Sequence, residues 1–222
     1  MRRTGRVADP RGARAQMNTL TAHGRKIFFI GFNRCGTTAL HRMLARSGVN
    51  SMHFRVRNGP HLTSVMFNNF SLNRPLIAGL EEYEAFSDMN LQRKGLFLEG
   101  HRLFRQLHGD YPSSYFILNT RDRERWIESR RNHAAPGGTM VDYVRGVTGQ
   151  SADEVLTQWR VQWDAHHAEV EAYFVEKDAR FLKFDIEADN VSRLAEFLAE
   201  DVALNTDQWK RRNAGVAAAG VA

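Results

Sequence analysis

The chain has 222 residues, 42% of them hydrophobic, and carries 31 lysines and arginines against 25 aspartates and glutamates, a net charge of +6. That length suits one large domain with a full core; no run of about eighteen apolar residues offers a membrane span, and no apolar leader marks an export signal, so a cytoplasmic protein is expected. The single cysteine, Cys35, excludes an internal disulfide and the cysteine-pair zinc sites, while the basic balance favours anionic ligands.

Much of the excess charge lies in residues 1–25, where Arg2, Arg3, Arg6, Arg11, Arg14 and Arg25 meet only Asp9 without any apolar period, so a disordered basic tail is predicted there. Lys26-Ile-Phe-Phe-Ile30 reads as a buried strand ending at Gly31, and Ala39 to Ser47 as a helix closed by Gly48. Ser51–Val56 and Tyr83–Ser87 read as short strands, Asn58–Pro75 has no clear periodicity, and Gly95–His108 reads as a helix. Tyr115–Asn119 is a second buried strand, followed by a helix over Arg123–His133. Ser151 with Asp153 and Glu154 opens a long helix whose stripe of Val155, Trp159, Trp163, Val170 and Phe174 is core. Arg180–Phe184 is a last strand and Val191–Leu198 a last amphipathic helix, with frayed residues 214–222 after it. Strands alternating with helices predict one α/β domain over residues 26–213 with a mainly parallel sheet.

Gly31-Phe-Asn-Arg-Cys-Gly36-Thr37-Thr38 sets the G-x-x-x-x-G frame of a P-loop between a strand and a helix. Glycines let backbone N–H groups turn inward and the helix N-terminus adds a positive dipole, which together suit phosphate oxygens. A kinase or NTPase would place lysine where Thr37 stands, so phosphoryl transfer is disfavoured. A cysteine phosphatase needs an arginine six residues after its nucleophile, and that position is His41. A plain glycine turn opening a helix is the bland alternative.

With Arg34 inside the loop, Asn33, Arg34, Cys35, Gly36, Thr37 and Thr38 resemble the 5′-phosphosulfate loop of sulfotransferases that use 3′-phosphoadenosine-5′-phosphosulfate (PAPS), of the form Pro-Lys/Arg-Ser-Gly-Thr-Thr. Asn33 and Cys35 depart from the commonest pattern. A second match follows at Arg121 and Ser129, an arginine at a strand end and a serine eight residues later on the next helix, the spacing with which the family reads a 3′-phosphate. The resemblance runs on through Trp163–His166, Tyr173-Phe174 and Arg180–Ile186, and covers roughly Lys26 to Leu198.

The resemblance implies a three-layer P-loop sandwich, PAPS as sulfuryl donor and PAP as product, with a small-molecule or glycan acceptor. It assigns Arg34 to the bridging oxygen, Gly36, Thr37 and Thr38 to the 5′-phosphate, and Arg121 and Ser129 to the 3′-phosphate. By position Asp88 would be the catalytic base or would orient the acceptor, with His53, His61, Glu99 and His101 as rivals. An ordinary aspartate is a weak base unless burial raises its pKa. His166 and His167 have no third ligand at metal spacing, so no metal is expected. A nucleic-acid-binding module is the alternative from another class, resting on the tail and the charge alone. Trp209-Lys-Arg-Arg-Asn213 could close over the 3′-phosphate or form an exposed basic end.

Overall fold

The computed structural model describes residues 18–56, 59–93 and 95–209. The sheet grows from short apolar strands: β1 (Ile27–Phe29), β2 (Ser51–His53), β3 (Ala85–Ser87), β6 (Tyr115–Thr120) and β9 (Phe181–Asp185) pair in the order β2-β3-β1-β6-β9, every neighbour parallel. Strands buried on both faces need helices on both, and the alternation of side chains decides which helix meets which residue. Ile27 and Phe29 of β1 face a core filled by Leu40, Met43 and Leu44 of α1 (Thr37–Arg46) and by Leu194 and Leu198 of α7 (Val191–Leu198). Phe28 and Ile30 face the opposite core, with Leu62 and Met66 of α2 (Leu62–Ser71), Phe104 and Leu107 of α3 (Phe104–Asp110), and Val170 and Phe174 of α6 (Ala152–Lys177).

This arrangement positions the site. The chain leaves β1 towards α1 on one face, whereas it leaves the adjacent β6 through α4 (Arg123–Arg131) towards α6, whose C-terminal half packs on the other. Two neighbouring strands with connections to opposite faces open a crevice at their carboxyl ends, where open α/β sheets bind ligands. Beneath that crevice a third core gathers Phe32 and Cys35 with Trp126, Trp159, Trp163 and Met140 of α5 (Met140–Thr148). Two side chains of α6 brace it: His166 Nε2 donates to Ile30 O at 2.8 Å, and His167 Nε2 meets Thr120 Oγ1 at 2.8 Å while its Nδ1 meets Trp163 O.

Several elements differ from the sequence expectation. The predicted helix over Gly95–His108 is instead β5 (Leu96–Glu99), paired antiparallel with β4 (Asn90–Arg93), then a 3-10 turn over Gly100–Leu103 and only then α3. Gly95 at φ 79° permits the tight reversal between the paired Arg93 and Leu96. The strand expected over Ser51–Val56 stops at His53, because Phe54 turns left-handed at φ 64°; the unassigned stretch after it contains α2. A small hairpin of β7 (Ala134–Ala135) and β8 (Gly138–Thr139) precedes α5. Of the predicted tail, residues 1–17 lie outside the described residues, as do Lys210–Asn213 and the predicted frayed end. From residue 18 the chain is packed: Leu20 is fully buried, and Arg25 Nη1 joins Glu200 and Asp201 at 2.6 and 2.7 Å.

Candidate functional site

Asn119, near the end of β6, holds the Gly31–Gly36 loop at both ends. Its Oδ1 accepts from Gly31 N–H at 3.0 Å and its Nδ2 donates to Cys35 O at 2.9 Å. Gly31 must lack a side chain, since a Cβ there would lie 2.0 Å from Asn119 O. Trp126 Nε1 donates to Asn33 O at 3.0 Å and Arg121 Nη1 to Arg34 O at 3.3 Å, so three successive loop carbonyls are held by β6 and the residues that follow it. Arg34 (φ 67°) and Gly36 (φ 74°) are both left-handed, a succession that turns N–H groups into a concavity. Among the described residues, none of the N–H groups from Phe32 to Thr38 donates to protein, and α1 starts with neither a side-chain cap nor an acidic residue in its first turn.

The second motif meets the first. Asp122 caps α4 by accepting from Arg125 N–H at 2.9 Å, which starts the helix so that two turns bring Ser129 back to the loop. There its Oγ accepts from Arg34 Nε at 3.1 Å. Arg121, largely buried, pairs through Nη2 with Glu187, whose other oxygen lies 3.3 Å from Arg125 Nη1; Arg121 Nε is buried without a partner.

The third group stands across the crevice. Asp88 follows β3 in a left-handed conformation (φ 58°), a placement that Asp and Asn tolerate and that concentrates at functional sites. Burial pushes its carboxyl up to about 6, against the pull of His133, Arg34 and a hydrogen bond from Asn90. His53 Nε2 lies 3.6 Å from Asp88 Oδ2 and within 3.4 Å of the Thr37 and Thr38 hydroxyls; burial and the Arg42 charge lower it to about 4, so it is a neutral imidazole at physiological pH.

Residues from all three line one cavity of about 480 Å³, within the range of small-molecule pockets. Of the site residues expected from the sequence reading, Asn33, Arg34, Gly36, Thr37, Thr38, Asp88 and Arg121 line it. Two others from that reading lie just outside: Ser129 reaches it through Arg34, and the Cys35 side chain points into the third core, where burial raises its thiol far above the ordinary value. That burial removes the thiolate a cysteine phosphatase would need. Among the rival bases only His53 lines the cavity. Glu99 is buried beneath Arg130 and Arg102, which hold it down to about 2; His101 is enclosed by Phe32 and His166 and kept well below its usual range by burial; His61 packs edge-on against Phe54.

Sequence reading missed Arg42, Arg125, His133 and Glu187 as lining residues. Arg42 was legible one helical turn after Thr38, on the same face of α1, whereas Glu187 and His133 carry no motif signal. The only cluster of potential metal ligands among the described residues, His23, Glu200 and Asp201, lies away from the cavity, with Arg25 already bridging its two carboxylates.

Fold and cavity together define an α/β protein with an arginine-rich crevice at the carboxyl edge of a parallel sheet. The family model described as a sulfotransferase domain matches residues 26–216, and the chain belongs to that family, as its two motifs implied. No match to a curated protein accompanies it. No helix among the described residues is long and apolar enough to cross a membrane.

Proposed function

We propose that the protein transfers a sulfuryl group from PAPS to a hydroxyl or amine, with the Gly31–Thr38 segment acting as a P-loop for the 5′-phosphosulfate. The observation that carries this reading is the hydrogen bond between Arg34 and Ser129, which joins two motifs 95 residues apart around one cavity. The free N–H groups and the uncapped α1 terminus fit a 5′-phosphate, and the unpartnered Arg121 Nε fits a phosphate acceptor at the other end.

In the transfer, an acceptor lone pair forms the new bond to sulfur as the bond from sulfur to the bridging phosphate oxygen breaks; PAP leaves with that electron pair. Arg34 faces the charge that develops on the leaving oxygen. Asp88, with a pKa near the working pH, takes the acceptor proton, and neutral His53 flanks it to orient the acceptor. Triphosphate chemistry is not favoured, because the position of the phosphate-binding lysine is held by Thr37.

The test is thermal unfolding with PAP, with ADP, and with magnesium–ATP, in the wild type and in Arg121→Ala. A ligand at a hundred times its Kd adds about 2.7 kcal/mol and should raise the midpoint by roughly 5–10 °C. PAP is expected to do this where ADP does not, and Arg121→Ala to abolish the difference. Stabilisation by magnesium–ATP alone would overturn the PAPS reading.

A further inference from the structure

Glu187 lies on the wall of a cavity whose four arginines, Arg34, Arg42, Arg121 and Arg125, suit an anion, and it sits on two of them. It follows β9, and its backbone is fixed by donation of Glu187 N–H to Asp185 Oδ1 at 2.8 Å, so the carboxylate hangs from a braced turn. One oxygen takes Arg121 Nη2 and the other approaches Arg125 Nη1 at 3.3 Å. Arg121 Nη1 is committed to Arg34 O. Nε and Nη2 form one edge of a guanidinium, the edge that grips a phosphate through two parallel bonds. Here Glu187 takes only half of that edge and leaves the buried Nε–H without an acceptor.

We infer that Glu187 is an internal competitor for the Arg121 fork: a carboxylate that holds Arg121 when no nucleotide is bound, offsets one of the two charges of the Arg121–Arg125 pair, and is displaced only by a ligand with a phosphate at this position. This rests on the PAPS reading above and adds to it a group that tempers the affinity for the 3′-phosphate. A carboxylate offers one negative charge in a one-sided contact. A phosphate monoester offers up to two charges and can satisfy Nε and Nη2 together, which relieves the buried donor as well. A nucleotide lacking the 3′-phosphate gains nothing here and leaves Glu187 on Arg121. The competitor therefore lowers the affinity for a 3′-phosphorylated nucleotide, because part of the phosphate's gain goes into displacing the carboxylate.

The test is calorimetric titration of PAP and of 5′-AMP into the full chain, as wild type, Glu187→Gln and Glu187→Ala. Both variants should bind PAP about tenfold more tightly than the wild type, with 5′-AMP binding changed less than twofold. Unchanged or weaker PAP binding by both variants, while the wild type still prefers PAP over 5′-AMP, would overturn the competitor role and make Glu187 a brace for Arg121. A wild type that binds the two nucleotides equally would overturn the 3′-phosphate reading itself, and this inference with it.

Discussion

At the scale of single residues, the role proposed for Asp88 sets function against stability. Its folded pKa, about 6, lies above its ordinary 3.8, so the folded protein keeps a proton that the unfolded chain has released between those values. The contribution to stability is therefore full below about pH 4 and is lost as the pH rises through 6. Asp88→Asn keeps the left-handed backbone and removes the buried charge. It should raise the unfolding midpoint at pH 7.5 by a few degrees, corresponding to about 1–2 kcal/mol once partial exposure is discounted. The same variant should lose about 10²–10⁴ in kcat/KM, because a positioned base is worth that much. For the wild type, kcat/KM should climb with pH up to about 6 and level off above it. A pH–rate profile and a melting curve on one pair of proteins check both arms; an Asp88→Asn variant that is active and no more stable would remove Asp88 from the chemistry.

At the scale of elements, the β4–β5 hairpin carries Glu99 away from the cavity wall and into an ion pair. In the interior its Oε1 accepts from Arg130 Nη2 at 2.7 Å and its Oε2 from Arg102 Nε at 2.8 Å. Arg130 itself is fully buried, its guanidinium 4.6 Å from the Trp159 ring centroid and 5.0 Å from that of Trp126. The pair ties the hairpin to α4 and so to the helix that presents Ser129. Breaking a buried pair leaves an uncompensated charge, so Glu99→Gln should cost about 3–5 kcal/mol in denaturant unfolding. Because Glu99 is depressed from 4.5 to about 2, its contribution is present above about pH 4.5 and is lost as the pH falls towards 2. The stability gap between wild type and Glu99→Gln should accordingly narrow in acid.

At the scale of the whole molecule, residues 18–25 close the sheet on the side away from the cavity. Asn18 bridges to Val202, Leu20 fills the core of α1 and α7, and buried Asp201 is satisfied by Thr19, His23, Arg25 and Tyr115. A chain beginning at Lys26 loses about 2–3 kcal/mol of Leu20 burial and leaves Asp201 short of its cation, a further cost of about 3–5 kcal/mol. Compared with a chain beginning at Asn18, it should unfold at least about 10 °C lower. Equal midpoints for the two chains would mean that the segment is not part of the cooperative unit.

The strands β1 and β6, the helices α1, α4, α6 and α7, and the two arginine-bearing motifs were legible in the sequence because each depends on local order: an apolar run, a helical stripe, a capping serine, glycines at fixed spacing. The hairpin at β4–β5 was not, since Leu96-Phe97-Leu98 is an apolar run whose state depends on a partner strand, and short apolar runs do not by themselves distinguish strand from helix. For the base, the resemblance put Asp88 first by its position and left His53, His61, Glu99 and His101 as rivals. Only packing separated them, by burying Glu99 under two arginines and His101 among aromatic rings while leaving Asp88 and His53 on the cavity wall. Burial sets a pKa through the surroundings that long-range contacts supply, and Glu187 meets Arg121 across 66 residues for the same reason. The sequence by itself determined the family, the sheet and the residues available for chemistry; the tertiary structure decided which of them are charged, which are exposed and which face one another, because those properties belong to neighbours brought together by folding.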